Sequence, residues 1–316
     1  MLVQYLAIFM KKFVLIILVV VIGASTNAQT NNTGNIELYH CMGELPPQQK
    51  QLMIQYNFKA APLIDGRYID PTGSDVFDSV SFRQGIEKHF PGVADTGIGI
   101  IDWETKTFDS LCYQPANSKA FKRSISRFTE ILDIAKRLRP NVRWGIYNVP
   151  YYSYWKRADQ TWKNQGEILK PLLAKTDILM ISLYDFYKDG TQYTDDKAFV
   201  QENMRMALQV AQELGKPLFV FIWQRYHNSN PDNGLELIPQ QEFVLHIDNI
   251  LQTTFKDQHV AGLIWFDAQD YFYKTKPAII NADLKSLRTT EEKLRDLSIK
   301  TYASLIKKSV DAAMKK

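Results

Sequence analysis

The chain has little cysteine, little histidine and no glycine-rich phosphate turn. Two cysteines in 316 residues, Cys41 and Cys112, exclude a disulfide-dense scaffold. One disulfide and two separate thiols both remain open. Five histidines, His40, His89, His227, His246 and His259, lack the short pair spacings that metal ligation uses, so neither a metal nor a cofactor is expected. No glycine-rich loop follows the early apolar runs, which argues against a nucleotide site. The basic residues are spread over helical faces and a lysine-rich terminus, so nucleic acid is not an expected partner. No linker rich in proline, glycine or serine interrupts residues 36–285, and nothing in these patterns sets an oligomeric state.

Aromatic residues are plentiful at 12% of the chain, and 45% is hydrophobic. That suffices for a large core and for the flat apolar faces that sugar clefts use. At the start, Met10-Lys11-Lys12-Phe13 forms a positive segment, Val14 to Ile22 is apolar, and Thr26-Asn27-Ala28 has small-x-small spacing. A signal peptide over 1–28 is expected, leaving one domain over 29–316 that is secreted or periplasmic. The apolar run is too short for stable membrane insertion. Losing Lys11 and Lys12 lowers the formal charge from +4 to +2. Any acidic substrate would then be met by local cations, with Lys106, Arg157, Lys188 and Arg225 as candidates.

Strand-like and helix-like runs alternate. Ile36–His40, Ala60–Ile64, Gly97–Asp102, Arg143–Val149, Ile178–Tyr184, Pro217–Trp223 and Val260–Phe266 are short and apolar. Phe121–Arg139, Met204–Leu214 and Phe243–Phe255 carry helical stripes, and 286–316 resembles a charged outer helix. The alternation predicts an α/β fold: a (β/α) TIM-type barrel, distorted, with seven or eight strands. Chemistry in such barrels collects at the C-terminal strand ends.

The third run ends in Asp102-Trp103-Glu104. Side chains alternate along a strand, so both acids are expected on one side and Trp103 on the other. Paired carboxylates resist joint ionisation, and a proton donor beside an ionised partner suits glycosidic cleavage. Later runs add Tyr147, Tyr152 and Trp155, then Tyr184, then Trp223 and Arg225, then Trp265 and Asp267. Aromatic walls with a few hydroxyls and carboxylates describe a carbohydrate cleft.

In these segments the chain resembles the hyaluronidase family of glycoside hydrolases. The likeness runs in order through Phe90-Pro91-Gly92 with Gly97–Glu104, Ala135–Pro140 with Trp144–Tyr147 and Pro150, Ser182-Leu183-Tyr184, Leu218–Tyr226, and Ala261–Trp265. It spans about 75–270. The resemblance implies a retaining hydrolase of polysaccharides or glycosaminoglycans that cuts β-linked N-acetylhexosamine bonds, with the substrate's acetamido group as nucleophile. Glu104 would be the acid/base, starting protonated, and Asp102 an anion that steadies the acetamido group. Tyr147 and Tyr184 would contact the sugar and Trp265 would floor it. The chain departs from the family at Ile36–Glu44, Thr105-Lys106-Thr107, Ser153 and Trp155, positions that touch cleft walls more than the acids. Two further readings stand beside this one. The first is a non-catalytic glycan-binding barrel. The second is a conventional glycosidase pairing Glu104 with Asp185 or Asp267.

Overall fold

The computed structural model describes residues 35–150, 153–156, 164–188 and 193–315. The expected signal segment 1–28 lies outside them, as do Tyr152 and Arg157. Within Gly34–Lys316 the strands are β1 (Glu37–Cys41), β2 (Phe58–Ala60), β3 (Leu63–Ile64), β4 (Gly97–Ile101), β5 (Val142–Ile146), β6 (Leu179–Ser182), β7 (Leu218–Ile222) and β8 (Gly262–Phe266). All ladders between them are parallel, in the orders β2-β1-β8-β7-β6 and β3-β4-β5. This is the cyclic order of a (β/α) TIM-type barrel.

The expected single run Ala60–Ile64 is two half-strands. Pro62 has no N–H to give a ladder, so the run breaks there. Its carbonyl still accepts from Ile100 N–H at 3.1 Å, while Ala61 N–H donates to the His40 carbonyl at 2.9 Å. Between β5 and β6 the gap is crossed by Asp177 N–H to the Trp144 carbonyl, 2.8 Å, and Val149 N–H to the Met180 carbonyl, 3.0 Å. Strand β5 ends earlier than the apolar run suggests. Asn148 turns left-handed at φ +53°, which ends the strand, and its Oδ1 accepts from Ser182 N–H at 3.1 Å.

Helices fill the crossovers. In Lys119–Leu138, Ser118 caps the start by accepting from Phe121 N–H, and Lys136 and Arg137 sit in the last turn, where cations suit the dipole. Its buried face of Phe121, Phe128, Ile131, Leu132 and Ala135 packs on the barrel. The cap residue at its other end, Arg139, donates to the carbonyls of Phe90 and Pro91 and so ties that helix to the turn before β4. The expected outer helix is Glu291–Ala313. It packs on Gln240–Gln252 through Tyr302 against Phe243, rings 5.1 Å apart, and Tyr302 Oη donates to the Ile238 carbonyl at 2.7 Å.

Strand alternation sorts the core into two sets. Leu38, Ile101, Trp144, Ile181, Val220, Leu263 and Trp265 face the helices. Tyr39, Cys41, Ile98, Ile100, Met180, Phe219, Phe221 and Ile264 fill the barrel interior. Trp144 lies flat on Gly99, where a Cβ would strike the indole ring, so only glycine fits there. At the N-terminal end Arg143 plugs the barrel, bonding Glu37 at 2.9 and 3.0 Å and Tyr39 Oη at 3.0 Å.

Candidate active site

The interior set continues past the strand ends as a ring of functional side chains. Asp102 follows Ile98 and Ile100 in the same alternation, and Trp103 takes the opposite face, 1% exposed and 5.9 Å from Phe128. Asp102 N–H still donates to the Ile64 carbonyl at 3.0 Å; after it the chain leaves the ladder and turns, with Thr105 N–H donating to the Trp103 carbonyl at 3.1 Å. Glu104 thus reaches solvent while remaining close enough to act electrostatically on Asp102, Tyr147 and Tyr184. Thr105 Oγ1 and Thr107 N–H both donate to Asp75 Oδ1, at 2.6 and 3.1 Å, which fixes this turn.

Tyr147 stands beside Asp102 on the neighbouring strand, its N–H donating to the Ile101 carbonyl at 2.9 Å, and Tyr184 follows the next strand. The Tyr147 hydroxyl lies 3.4 Å from Ser182 Oγ and 3.5 Å from Tyr184 Oη, at the long end for hydrogen bonds. Its ring meets Phe221 edge-on at 4.8 Å. Tyr184 contacts Trp223 at 5.4 Å and Phe266 at 6.1 Å. Burial raises both phenols far above their ordinary pKa, so both hydroxyls stay neutral.

Both carboxyls are raised, and Asp102 differs from the role the resemblance implies. Burial pushes Asp102 up to about 8, and the charges of Glu104 and Asp65 add to this. Its Oδ1 is buried without a hydrogen-bond partner among the described residues. Glu104 is also raised, first by desolvation and then by Asp109. Asp102 therefore holds its proton at neutral pH and is not the anion the resemblance implies. The physical reason is depth: Asp102 belongs to the inward face and Glu104 to the mouth.

This has a measurable consequence for stability. Folded Asp102 holds its proton from its unfolded value near 4 up to about 8. In that window the folded state binds more protons than the unfolded, so its contribution is full below the window and falls as pH rises through it. The slope is at most about 1.4 kcal/mol per pH unit. Asp102→Asn removes this term. Chemical denaturation at pH 5 and pH 8 should show the variant gaining on the wild type as pH rises; a constant difference would contradict the assignment.

Several residues expected in the cleft lie elsewhere. Trp265 is fully buried on the helix-facing side of β8, 5.6 Å from Phe58, and its Nε1–H donates to Gln224 Oε1 at 2.7 Å. It cannot floor a sugar pocket; Phe266, the next residue, has the inward position. Asp267 is buried and held by Gln224 Nε2 at 2.6 Å. Arg225 is fully buried in a bidentate pair with Asp283, at 3.2 and 2.7 Å, so it serves no substrate carboxylate. Asp185 is buried against Asp196, with His246 Nδ1 at 3.9 Å. Neither Asp185 nor Asp267 is an open second carboxylate. Trp223 is brought to the ring, and Trp155 stands half exposed at the mouth.

Sequence reasoning missed Cys41, Ser182, Phe266 and His227 as members of this end of the barrel. The inward alternation of β1, β6 and β8 would have found the first three. His227, stacked at 6.0 Å on Tyr184, lies beyond any strand and had no such signal. Cys41 and Cys112 are both free thiols. Among the described residues, no three His, Cys, Asp or Glu side chains converge to hold a metal ion, and no helix is long and apolar enough to cross a membrane. A cavity of about 360 Å³ on the outside, between Tyr193–Leu214 and Gln240–Gln252, contains Lys197, Arg205 and Asp248 but none of the mouth residues.

No family model matches the chain, and none of the curated proteins matches it. Solved structures do share its fold. Bee venom hyaluronidase is similar at TM-score 0.60 and 15% identity, over 86% of this chain and 100% of the other. The same bee enzyme in complex with a hyaluronic acid tetramer gives TM-score 0.55 and 16% identity, over 79% and 96%. At this identity the likeness is one of fold: the chain is a TIM-type barrel of the shape that the bee hyaluronidase has.

Proposed function

We propose that this protein is a secreted or periplasmic glycoside hydrolase that cleaves β-linked N-acetylhexosamine bonds in a polysaccharide, with retention. The observation that carries the reading is the acid pair itself. An inward Asp102 and an outer Glu104 share one barrel mouth with two neutral phenols and an aromatic ring of Trp223, Phe221 and Phe266. The hyaluronidase-like order of the sequence segments and the fold shared with the bee enzyme support it.

In this scheme the substrate's acetamido oxygen attacks the anomeric carbon as Glu104 gives its proton to the departing oxygen. The glycosidic bond breaks and an oxazolinium ion forms. Glu104, now a carboxylate, takes a proton from the water that reopens the ring, so the configuration is retained and both carboxyls are restored. A bound sugar displaces water from the mouth and raises Glu104 further, keeping it protonated for the first step. Asp102 enters neutral; the positive charge that forms beside it favours loss of its proton to water, the resulting carboxylate accepts from the acetamido N–H, and water returns the proton once the ring reopens. Tyr147 and Tyr184 present hydroxyls to the same group.

The substrate class is tested with matched N-acetylated and de-N-acetylated chains of chitin and hyaluronan type, measuring new reducing ends. Cleavage confined to the N-acetylated members is expected. Equal cleavage of both would replace the acetamido nucleophile with a carboxylate one. Binding of the chains without turnover would favour a glycan-binding barrel.

A further inference from the structure

At the edge of the mouth, three side chains outside the acid pair form a directed chain of hydrogen bonds. Trp155 is 50% exposed, and its Nε1–H donates to Ser229 Oγ at 2.9 Å. Ser229 Oγ lies 2.7 Å from His227 Nδ1, and Ser229 N–H donates to the same Nδ1 at 3.2 Å. A ring nitrogen that accepts a backbone N–H carries no proton, so His227 is the Nε2–H tautomer. The Ser229 hydroxyl must then donate to His227, which leaves its lone pairs facing the indole. The polarity is fixed from end to end.

His227 is itself immobilised. Its N–H donates to the Asp185 carbonyl at 2.7 Å. Its ring lies 4.7 Å from Phe186 and 6.0 Å from Tyr184, nearly parallel to the latter at 29°. Burial lowers its pKa to about 4, so the ring stays neutral at ordinary pH. Trp155 is braced on its other side by Tyr154 at 5.2 Å and Phe186 at 5.7 Å, both nearly perpendicular to it. A large aromatic side chain left half open at a surface normally samples several rotamers; here hydrogen bond and ring contacts select one.

We propose that His227 and Ser229 are positioning residues that hold Trp155 as a fixed wall on which a sugar unit beside the scissile bond stacks. This rests on the glycosidase reading for its substrate. The wall is linked to the catalytic ring through His227 and Tyr184, so its placement is registered to Glu104. Its contribution is to binding of the chain rather than to proton transfer.

The test uses Ser229→Ala, Ser229→Thr and His227→Phe, the last keeping a ring on Tyr184 and Phe186 while removing the acceptor. Trp155 emission, taken as the difference from Trp155→Phe, should become broader and more readily quenched by acrylamide in Ser229→Ala and His227→Phe, and recover in Ser229→Thr. With an N-acetylated chitin hexasaccharide, KM should rise about three- to tenfold, the scale of one lost hydrogen bond, with a smaller change in kcat. Unchanged Trp155 emission and KM in Ser229→Ala would overturn the proposal, as would a loss confined to kcat. If the wild type cleaves no N-acetylated chain, the glycosidase reading fails separately; the emission arm still decides whether the relay holds Trp155.

Discussion

Glu104→Gln should lower the rate of polymer cleavage by about 10²–10⁴-fold while leaving the fold intact. Two features make the expectation sharp. The residue is exposed although its carboxyl is partly desolvated, so exchange for an amide of the same shape should leave the fold intact. Its carboxyl is raised by desolvation and by Asp109, the direction that a proton donor to a departing sugar oxygen needs. An amide of the same shape has no proton to give. The substitution also removes a charge that helps keep Asp102 neutral, so the Asp102 titration should move to lower pH in this variant. Reducing-end assays measure the first effect and carboxyl chemical shifts across pH the second. A variant that cleaves as fast as wild type would remove Glu104 from the chemistry.

Asp283→Ala should destabilise the protein by about 3–5 kcal/mol, a drop in Tm of roughly 10 °C. Arg225 is fully buried, and Asp283 is its bidentate partner. Arg225 Nη1 also donates to the Leu235 carbonyl at 2.9 Å, and Tyr273 Oη donates to Asp283 Oδ2 at 2.8 Å. The ion pair therefore fastens the helix Pro277–Leu287 to the end of β7. Removing the carboxylate leaves a guanidinium buried without its counter-charge, which is where the cost arises. Thermal unfolding monitored by circular dichroism measures it. A substrate-binding role for Arg225, as the sequence suggested, would instead appear in an Arg225 variant as a raised KM at unchanged Tm.

The contrast between Glu104 and Arg225 marks what the sequence can say about this barrel. Strand positions were legible because buried parallel strands read as short apolar runs between amphipathic helices. The same property hid which face each residue takes. Leu263, Ile264, Trp265 and Phe266 offer no polar alternation, so Trp265 was placed inward when the inward residues are Ile264 and Phe266. Asp102 escaped this because a carboxylate following Ile98 and Ile100 marks its own face. Arg225 was misread because its partner lies 58 residues away, a pairing only the fold creates. The break at Pro62 was visible as a proline and followed from its missing N–H. The depth of Asp102 was not visible: two acids at i, i+2 look equivalent until the chain turns after Asp102 and leaves one deep and one at the mouth.

The anomeric form of the first product, followed by proton NMR during cleavage of an N-acetylated oligosaccharide, bears most directly on a mouth where the outer acid delivers the proton and the substrate's own acetamido group attacks. The β anomer should appear first and mutarotate afterwards. Initial release of the α anomer would require direct attack by water and contradict the mechanism.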